Sequence, residues 1–195
     1  MPFQNFAMEN GSYSKGSFLI ANPVLPDPNF SRTVVLLCNH NEEGSFGLVI
    51  NRNSGLKSTE VFASSELLTG YEGEVFIGGP VAPSQVFYLC RSSRSLPEME
   101  EVCPGVHMGM SWEALEEVLP DLPNPNEDLR FYMGYSGWGS GQLAGEMDQR
   151  SWLTCDATDP FVFTSPEQHI WPKVVQSLGK DYEYLLHAPV DPRNN

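Results

Sequence analysis

The chain has 195 residues, 41% of them hydrophobic and 11% aromatic, which is the size of one domain with a core large enough to fold without disulfides or metal. Its formal charge is −14, and between residues 58 and 129 thirteen acids face only two bases, Arg91 and Arg94. The lack of any basic run argues against direct contact with nucleic acid or an anionic membrane, and the acidity reads as a means of staying soluble.

Residues 1–15 are polar and rich in Gly, Ser and Asn. They read as a flexible N-terminal tail ahead of a single α+β domain over 16–190. The opening Met-Pro-Phe-Gln-Asn-Phe-Ala-Met-Glu lacks the basic and apolar regions of a secretory signal. Ser17–Ala21 reads as a strand. Asn22–Phe30, with Pro23, Pro26 and Pro28, is a rigid loop. Thr33–Asn39 is an apolar, β-branched run, the pattern of a strand buried on both faces. Its longest apolar stretch, Val34 to Cys38, is far too short to span a bilayer.

His40–Ser45 is a polar turn and Phe46–Asn51 the returning strand of a hairpin. Ser58–Leu68 is expected as a short helix capped by Ser58 or Thr59. Glu74–Ile77 and Gln85–Cys90 read as strands joined through Gly78-Gly79-Pro80-Val81-Ala82-Pro83 as a second hairpin. Residues 91–104 read as an acidic surface loop, and Val106–Met110 as a short strand. Ser111–Leu119 is a helix capped by Ser111, with Trp112, Leu115 and Leu119 on one face.

After Pro120–Pro125, Leu129–Gly134 is a strand that runs into a glycine-rich loop. Gln142–Gln149 is a short helix or turn, and Trp152–Asp156 a strand. Ser165-Pro166-Glu167 opens a last helix that Pro172 either kinks or delays until about Trp171, and Gly179 stops it. Strands outnumber helices, and hairpins mix with longer crossovers. The fold class is α+β with a mixed, mostly antiparallel sheet.

The four cysteines, Cys38, Cys90, Cys103 and Cys155, form no C-x-x-C. Cys38 and Cys90 lie in apolar strands and read as core thiols of a cytoplasmic protein. The histidines, at 40, 107, 169 and 187, are widely spaced, with no pair at i, i+4 around a carboxylate. No metal or cofactor is expected.

Residues 131–145 carry five glycines, four aromatics and no charge. Such a loop either packs on the core or lines a pocket, with Tyr135 and Trp138 offering flat faces that each carry one polar atom. Gly134-Tyr135-Ser136-Gly137-Trp138 departs from a nucleophile elbow at its last position, where Trp138 replaces glycine. Gly139-Ser140-Gly141-Gln142-Leu143-Ala144 has the spacing of a dinucleotide loop, but too little chain follows for a doubly wound sheet. Glu146 becomes a candidate acid or base if Trp138 desolvates it. Arg52, ending a strand, reads as the partner of a carboxylate, with anion recognition as the alternative.

Several blocks in order resemble the YqgE/AlgH family of small bacterial proteins: Gly16–Pro23, Asp27–Phe30, Arg32–Arg52, Ile77–Val81 and Gly134–Leu143, followed by Glu146 and Trp152. The family pattern usually has Ala where this chain has Ser136, which weakens the nucleophile reading. The resemblance implies a strongly curved, partly barrel-like sheet flanked by helices, and no established enzyme activity. Some members are labelled transcriptional regulators, a label that sits poorly with this charge and with the lack of a DNA-reading element.

The combined expectation is a non-enzymatic cytoplasmic protein that binds a small ligand or a protein partner. The expected contact residues are Tyr135, Trp138, Gly139, Gln142 and Glu146, with Asn51, Arg52, Gly78, Gly79 and Pro80 beside them at neighbouring strand ends. The alternative is a hydrolase or transferase using Ser136 or Glu146 with a histidine.

Overall fold

The run at Val34–Cys38 is fully buried, as its composition predicts, and the sheet extends outward from it on both sides. The computed structural model describes residues 12–188 apart from 24, 26, 28 and 165. The expected N-terminal tail lies outside the described residues except at 12–15. There the Tyr13 ring meets His40 at a tilt, with centroids 4.8 Å apart, and Lys15 pairs with Glu100.

The strands are β1 (Ser17–Ala21), β2 (Val34–Asn41), β3 (Gly44–Val49), β4 (Asn53–Lys57), β5 (Glu74–Ile77), β6 (Val81–Arg91), β7 (Met99–Cys103), β8 (Val106–Gly109), β9 (Leu129–Gly139) and β10 (Trp152–Asp156). The helices are α1 (Ser58–Val61), α2 (Trp112–Val118), α3 (Pro125–Asp128), α4 (Gln142–Asp148), α5 (Asp159–Val162) and α6 (Ile170–Ser177), and a 3-10 helix covers Lys180–His187. The strands form one curled, half-barrel sheet in the order β10-β1-β2-β3-β9-β6-β8-β7, with β4 joined to β5 and β5 to β9. Among the described residues one pairing, β5 with β9, is parallel and the others are antiparallel. The class is α+β, with a mixed and mostly antiparallel sheet.

Local signals hold where local chemistry decides. The β2–β3 hairpin forms, with a turn tighter than expected. Ser111 caps α2, accepting from the Ala114 N–H at 3.1 Å. Helix α6 starts at Ile170 with Pro172 in its first turn, close to the delayed start expected, and buries Ile170, Trp171, Val174 and Val175; a 3-10 turn over Glu167–His169 precedes it, and the expected cap at Ser165 lies outside the described residues.

Tertiary structure departs from the sequence reading over residues 58–68, 74–90 and 91–104, and it adds a strand. Asn53–Lys57, to which the sequence reading gives no element, pairs with β5 and becomes β4. The helix expected over 58–68 is a single turn, α1, with Lys57 rather than Ser58 or Thr59 at its N-cap. Part of the expected loop at 91–104 pairs with β8 as β7. Finally, β5 and β6 do not pair as a hairpin. They flank β9 on opposite edges, parallel and antiparallel, so residues 78–80 cross over it.

That crossing explains why glycines stand at both levels of it. Gly78 donates to the Met133 carbonyl and accepts from the Val49 N–H, both at 2.8 Å, which closes the gap where β3 and β5 meet along β9. A Cβ on Gly78 would strike the Gly134 carbonyl oxygen, and one on Gly79 would strike the Tyr135 backbone. Gly134 itself has φ +68°, and a Cβ there would lie 2.6 Å from the Gly79 carbonyl oxygen. No helix of the described residues is long and apolar enough to cross a membrane.

Gly134→Ala therefore combines left-handed backbone strain with overpacking. It should lower unfolding stability by about 2–5 kcal/mol in urea denaturation. Gly145 provides the contrast: it lies within α4 with open space at its Cβ position, so Gly145→Ala should raise stability by about 0.5–1 kcal/mol.

Candidate functional site

The glycine-rich stretch is not a loop. Strand β9 continues to Gly139, and its second half pairs with β3 in the register Gly47↔Ser136, Phe46↔Gly137, Ser45↔Trp138 and Gly44↔Gly139. Strand geometry sends alternate side chains to opposite faces. Tyr135 and Trp138, three residues apart, therefore part company and belong to different constellations.

Tyr135 joins an aromatic cluster with Phe46 and Phe87. Its ring centroid lies 5.0 Å from that of Phe46 and 6.0 Å from that of Phe87, and Phe46 and Phe87 are 5.2 Å apart. Gly137, directly opposite Phe46, leaves the room: a Cβ there would lie 3.0 Å from the Tyr135 ring. These rings line a groove of about 740 Å³ between β2, β3, β6, β8 and β9. Val81 (38% exposed) and Met110 (45% exposed) form apolar parts of its wall, and Asn39, Gln85 and Glu43 supply polar ones. Among the described residues the Glu43 carboxylate forms no ion pair.

Trp138 turns into the opposite face, where it is 6% exposed and packs with Phe30 and Trp152. Its indole N–H donates to Glu146 Oε2 at 2.9 Å, and the Trp152 indole donates to the same oxygen at 2.8 Å. Gln142 donates to Glu146 Oε1 at 3.1 Å while its own side-chain oxygen accepts from the Gly139 N–H. Glu146 thus clamps α4 to β9 and β10. Its carboxylate is held by three donors, and no histidine is among them.

The other expected residues lie elsewhere. Asn51, past the far end of β3, accepts from the Val34 N–H at 2.8 Å and donates to the Arg32 carbonyl at 2.9 Å, extending the sheet edge. The Arg52 carbonyl accepts from Ile77 N–H. Gly78 and Gly79 are buried in the crossing, and Pro80 is exposed beside it. Ser136 is 1% exposed and donates to the Gly78 carbonyl at 3.2 Å. The expected residues are therefore spread over the groove, the glycine crossing, the α4 clamp and the far end of β3.

All four cysteines are free. Burial pushes Cys90, Cys103 and Cys155 up to about 12 and Cys38 higher still, so none is a ready thiolate. Among the described residues no group of three His, Cys, Asp or Glu is placed to hold a metal.

A family model described as AlgH-like matches residues 18–183. The chain belongs to the AlgH-like family. A UPF0301 protein of Cytophaga hutchinsonii is 37% identical over 183 residues, covering 93% of this chain and 99% of its own length. A UPF0301 protein of Chlorobium limicola is 37% identical, covering 92% and 95%. The solution structure of AlgH from Pseudomonas aeruginosa is 33% identical with a TM-score of 0.69 and covers 92% of this chain and 97% of its own. A Corynebacterium diphtheriae protein of known structure has a TM-score of 0.78 at 22% identity, covering 93% and 95%, a likeness of fold.

In this AlgH-like chain the groove residues Phe46, Phe87, Met108 and Met110 lie in segments read as strands and Val81 in the connection at 78–83, so none stood out in the sequence as a contact residue. The usable signal was the alternation of Gln85, Phe87 and Leu89 on one face of β6, had the strand been extended back to Val81.

Two measurements follow from these contacts. Glu146→Ala leaves two indole donors without their acceptor and should cost about 1–3 kcal/mol, with a change in tryptophan emission; Glu146→Gln, which keeps one acceptor oxygen, should cost less. At pH 8 the native thiols should react with a disulfide reagent at least about a hundredfold more slowly than those of the urea-unfolded chain. All four should become titratable on unfolding.

Proposed function

We propose that this AlgH-like chain is a non-catalytic cytoplasmic binding protein whose contact site is the groove floored by Phe46, Phe87 and Tyr135. The observation that carries the reading is this three-ring cluster, open to a hollow of about 740 Å³ with Val81 and Met110 exposed at its wall. Hollows of this size with apolar walls and a few polar groups are the usual form of a ligand site. Tyr135 adds a hydroxyl to an otherwise apolar part of the lining.

Charge narrows the occupant. Glu43 stands in the wall, and the whole chain carries −14. An apolar or aromatic group that is neutral or positively charged fits, whether it belongs to a small molecule or to a side chain of a protein partner. An anion is repelled. The four free cysteines suit a reducing compartment. A role in regulation would run through protein contact, since a chain of this charge offers phosphates little attraction.

The hydrolase or transferase reading gains no support from the geometry. The Ser136 hydroxyl is buried and engaged by a carbonyl, and Glu146 is held by two indoles and an amide.

The test is an amide-resolved NMR titration of the whole chain with indole, benzylamine and benzoate. Indole and benzylamine should shift the amides of Phe46, Phe87 and Gly137, with benzoate weaker. Tyr135→Ala should weaken binding about 5–30-fold, the equivalent of about 1–2 kcal/mol for one aromatic wall. Val81→Glu, at an exposed position, should weaken indole binding without lowering the melting temperature. Shifts confined to other parts of the chain, or affinities unchanged in both variants, would remove the groove from consideration.

A further inference from the structure

A second hollow, of about 690 Å³, lies at the other end of β9, where Leu129 and Arg130 begin the strand. Its wall holds two arginines in very different circumstances. Arg91 is neutralised twice, by Asp128 at 2.5 Å and by Asp159 at 2.8 Å. Arg130 is only 8% exposed, yet among the described residues no carboxylate forms an ion pair with it.

Arg130 is held by carbonyl dipoles and ring faces, with the buried Tyr132 hydroxyl beside it. It donates from Nη1 to the Val162 carbonyl at 3.0 Å and from Nη2 to the Thr164 carbonyl at 2.7 Å. Its guanidinium lies 4.9 Å from the Phe76 ring centroid and 6.0 Å from that of Phe163. These contacts fix its position and use two of its five donors. Carbonyl dipoles and π faces reduce the cost of burying the charge but do not cancel it. A guanidinium fixed in this way, with donors to spare, has the geometry that takes a carboxylate in a two-pronged bond.

The rest of the lining selects against a simple anion. Glu72, Glu74, Glu127 and Glu167 also face the hollow. Glu72, Glu74 and Glu127 are exposed, and Glu167 is half-buried. With Arg91 already matched, the wall presents one unmatched positive charge set among four negative ones. A lone anion meets repulsion from the glutamates, and a lone cation gains nothing from Arg130. A ligand carrying both charges satisfies both parts.

We propose that this hollow binds a zwitterion of the amino-acid class, either a free α-amino acid or a short peptide. Its carboxylate sits on Arg130 and its ammonium group lies toward the glutamates. The hollow shares no lining residue with the Phe46–Tyr135 groove, so the two sites stand or fall separately.

The experiment is calorimetric titration of the whole chain at low salt with free amino acids and with di- and tripeptides of alanine. Acetate and methylammonium serve as single-charge controls. At least one zwitterion should bind, with both controls about tenfold weaker or worse. Arg130→Lys keeps the charge but removes the fork, and should weaken that binding by about tenfold or more.

Because Arg130 is buried, the double variant Glu127→Gln with Glu167→Gln tests the same site from its accessible side. It should weaken zwitterion binding severalfold while the melting temperature stays unchanged. In the wild-type chain the bound zwitterion should shift the amides of Gly73, Asn126 and Arg130, and not those of Phe46 and Gly137. Failure of every zwitterion to saturate by about 10 mM would overturn the proposal. So would acetate binding as well as the zwitterions, or affinity unchanged in the glutamate double variant.

Discussion

The architecture depends on one close approach. The connection between β5 and β6 passes over β9, backbone against backbone, where Gly78 and Gly79 meet Gly134 and Tyr135. Side chains at these positions would hold the two segments apart. Without that contact, β5 and β6 would not take opposite edges of β9, and Gly78 would not bridge Val49 and Met133. The left-handed turn at Gly134 also separates the two halves of β9: the first lies between β5 and β6, and the second pairs with β3.

Because β9 is shared, its two ends face different surroundings. At the far end the alternation of Tyr135, Ser136, Gly137 and Trp138 builds two faces from one segment. One carries the three-ring groove and the other the indole–carboxylate clamp on α4. At the near end Arg130 is buried over Phe76 and Phe163 with no matching carboxylate among the described residues. The clamp is structural in its chemistry: Glu146 gathers two indole N–H groups and an amide and ties a short helix to two strands. The groove and the arginine hollow instead leave groups unsatisfied or exposed, and for that reason they carry the functional readings.

Much of the fold was legible in the chain. The buried run at 34–38, the β2–β3 hairpin, the Ser111 cap and the strand at 152–156 all rest on local chemistry, and each stands where expected. The site was less legible. Glycine at 134, 137, 139 and 141 resembles a loop by composition, since glycine disfavours strands. Here pairing with β3 outweighs that preference, and the glycines serve the crossing, the space beside the Tyr135 ring and the entry to α4. Once the segment is a strand, Tyr135 and Trp138 cannot share a face.

The amino-acid sequence by itself determined the fold class, the family, the acidic charge and the thiols kept from disulfides, because these follow from composition, from alternation along short segments and from blocks in a fixed order. Tertiary structure decided which strands flank β9, which way each aromatic of residues 131–145 points, and that among the described residues Arg130 has no counter-charge while Arg91 has two. Those outcomes depend on contacts between residues tens of positions apart, such as Gly79 with Tyr135 and Arg130 with Thr164. Local propensity carries no term for them; they are settled only when the chain closes its sheet and distant segments pair.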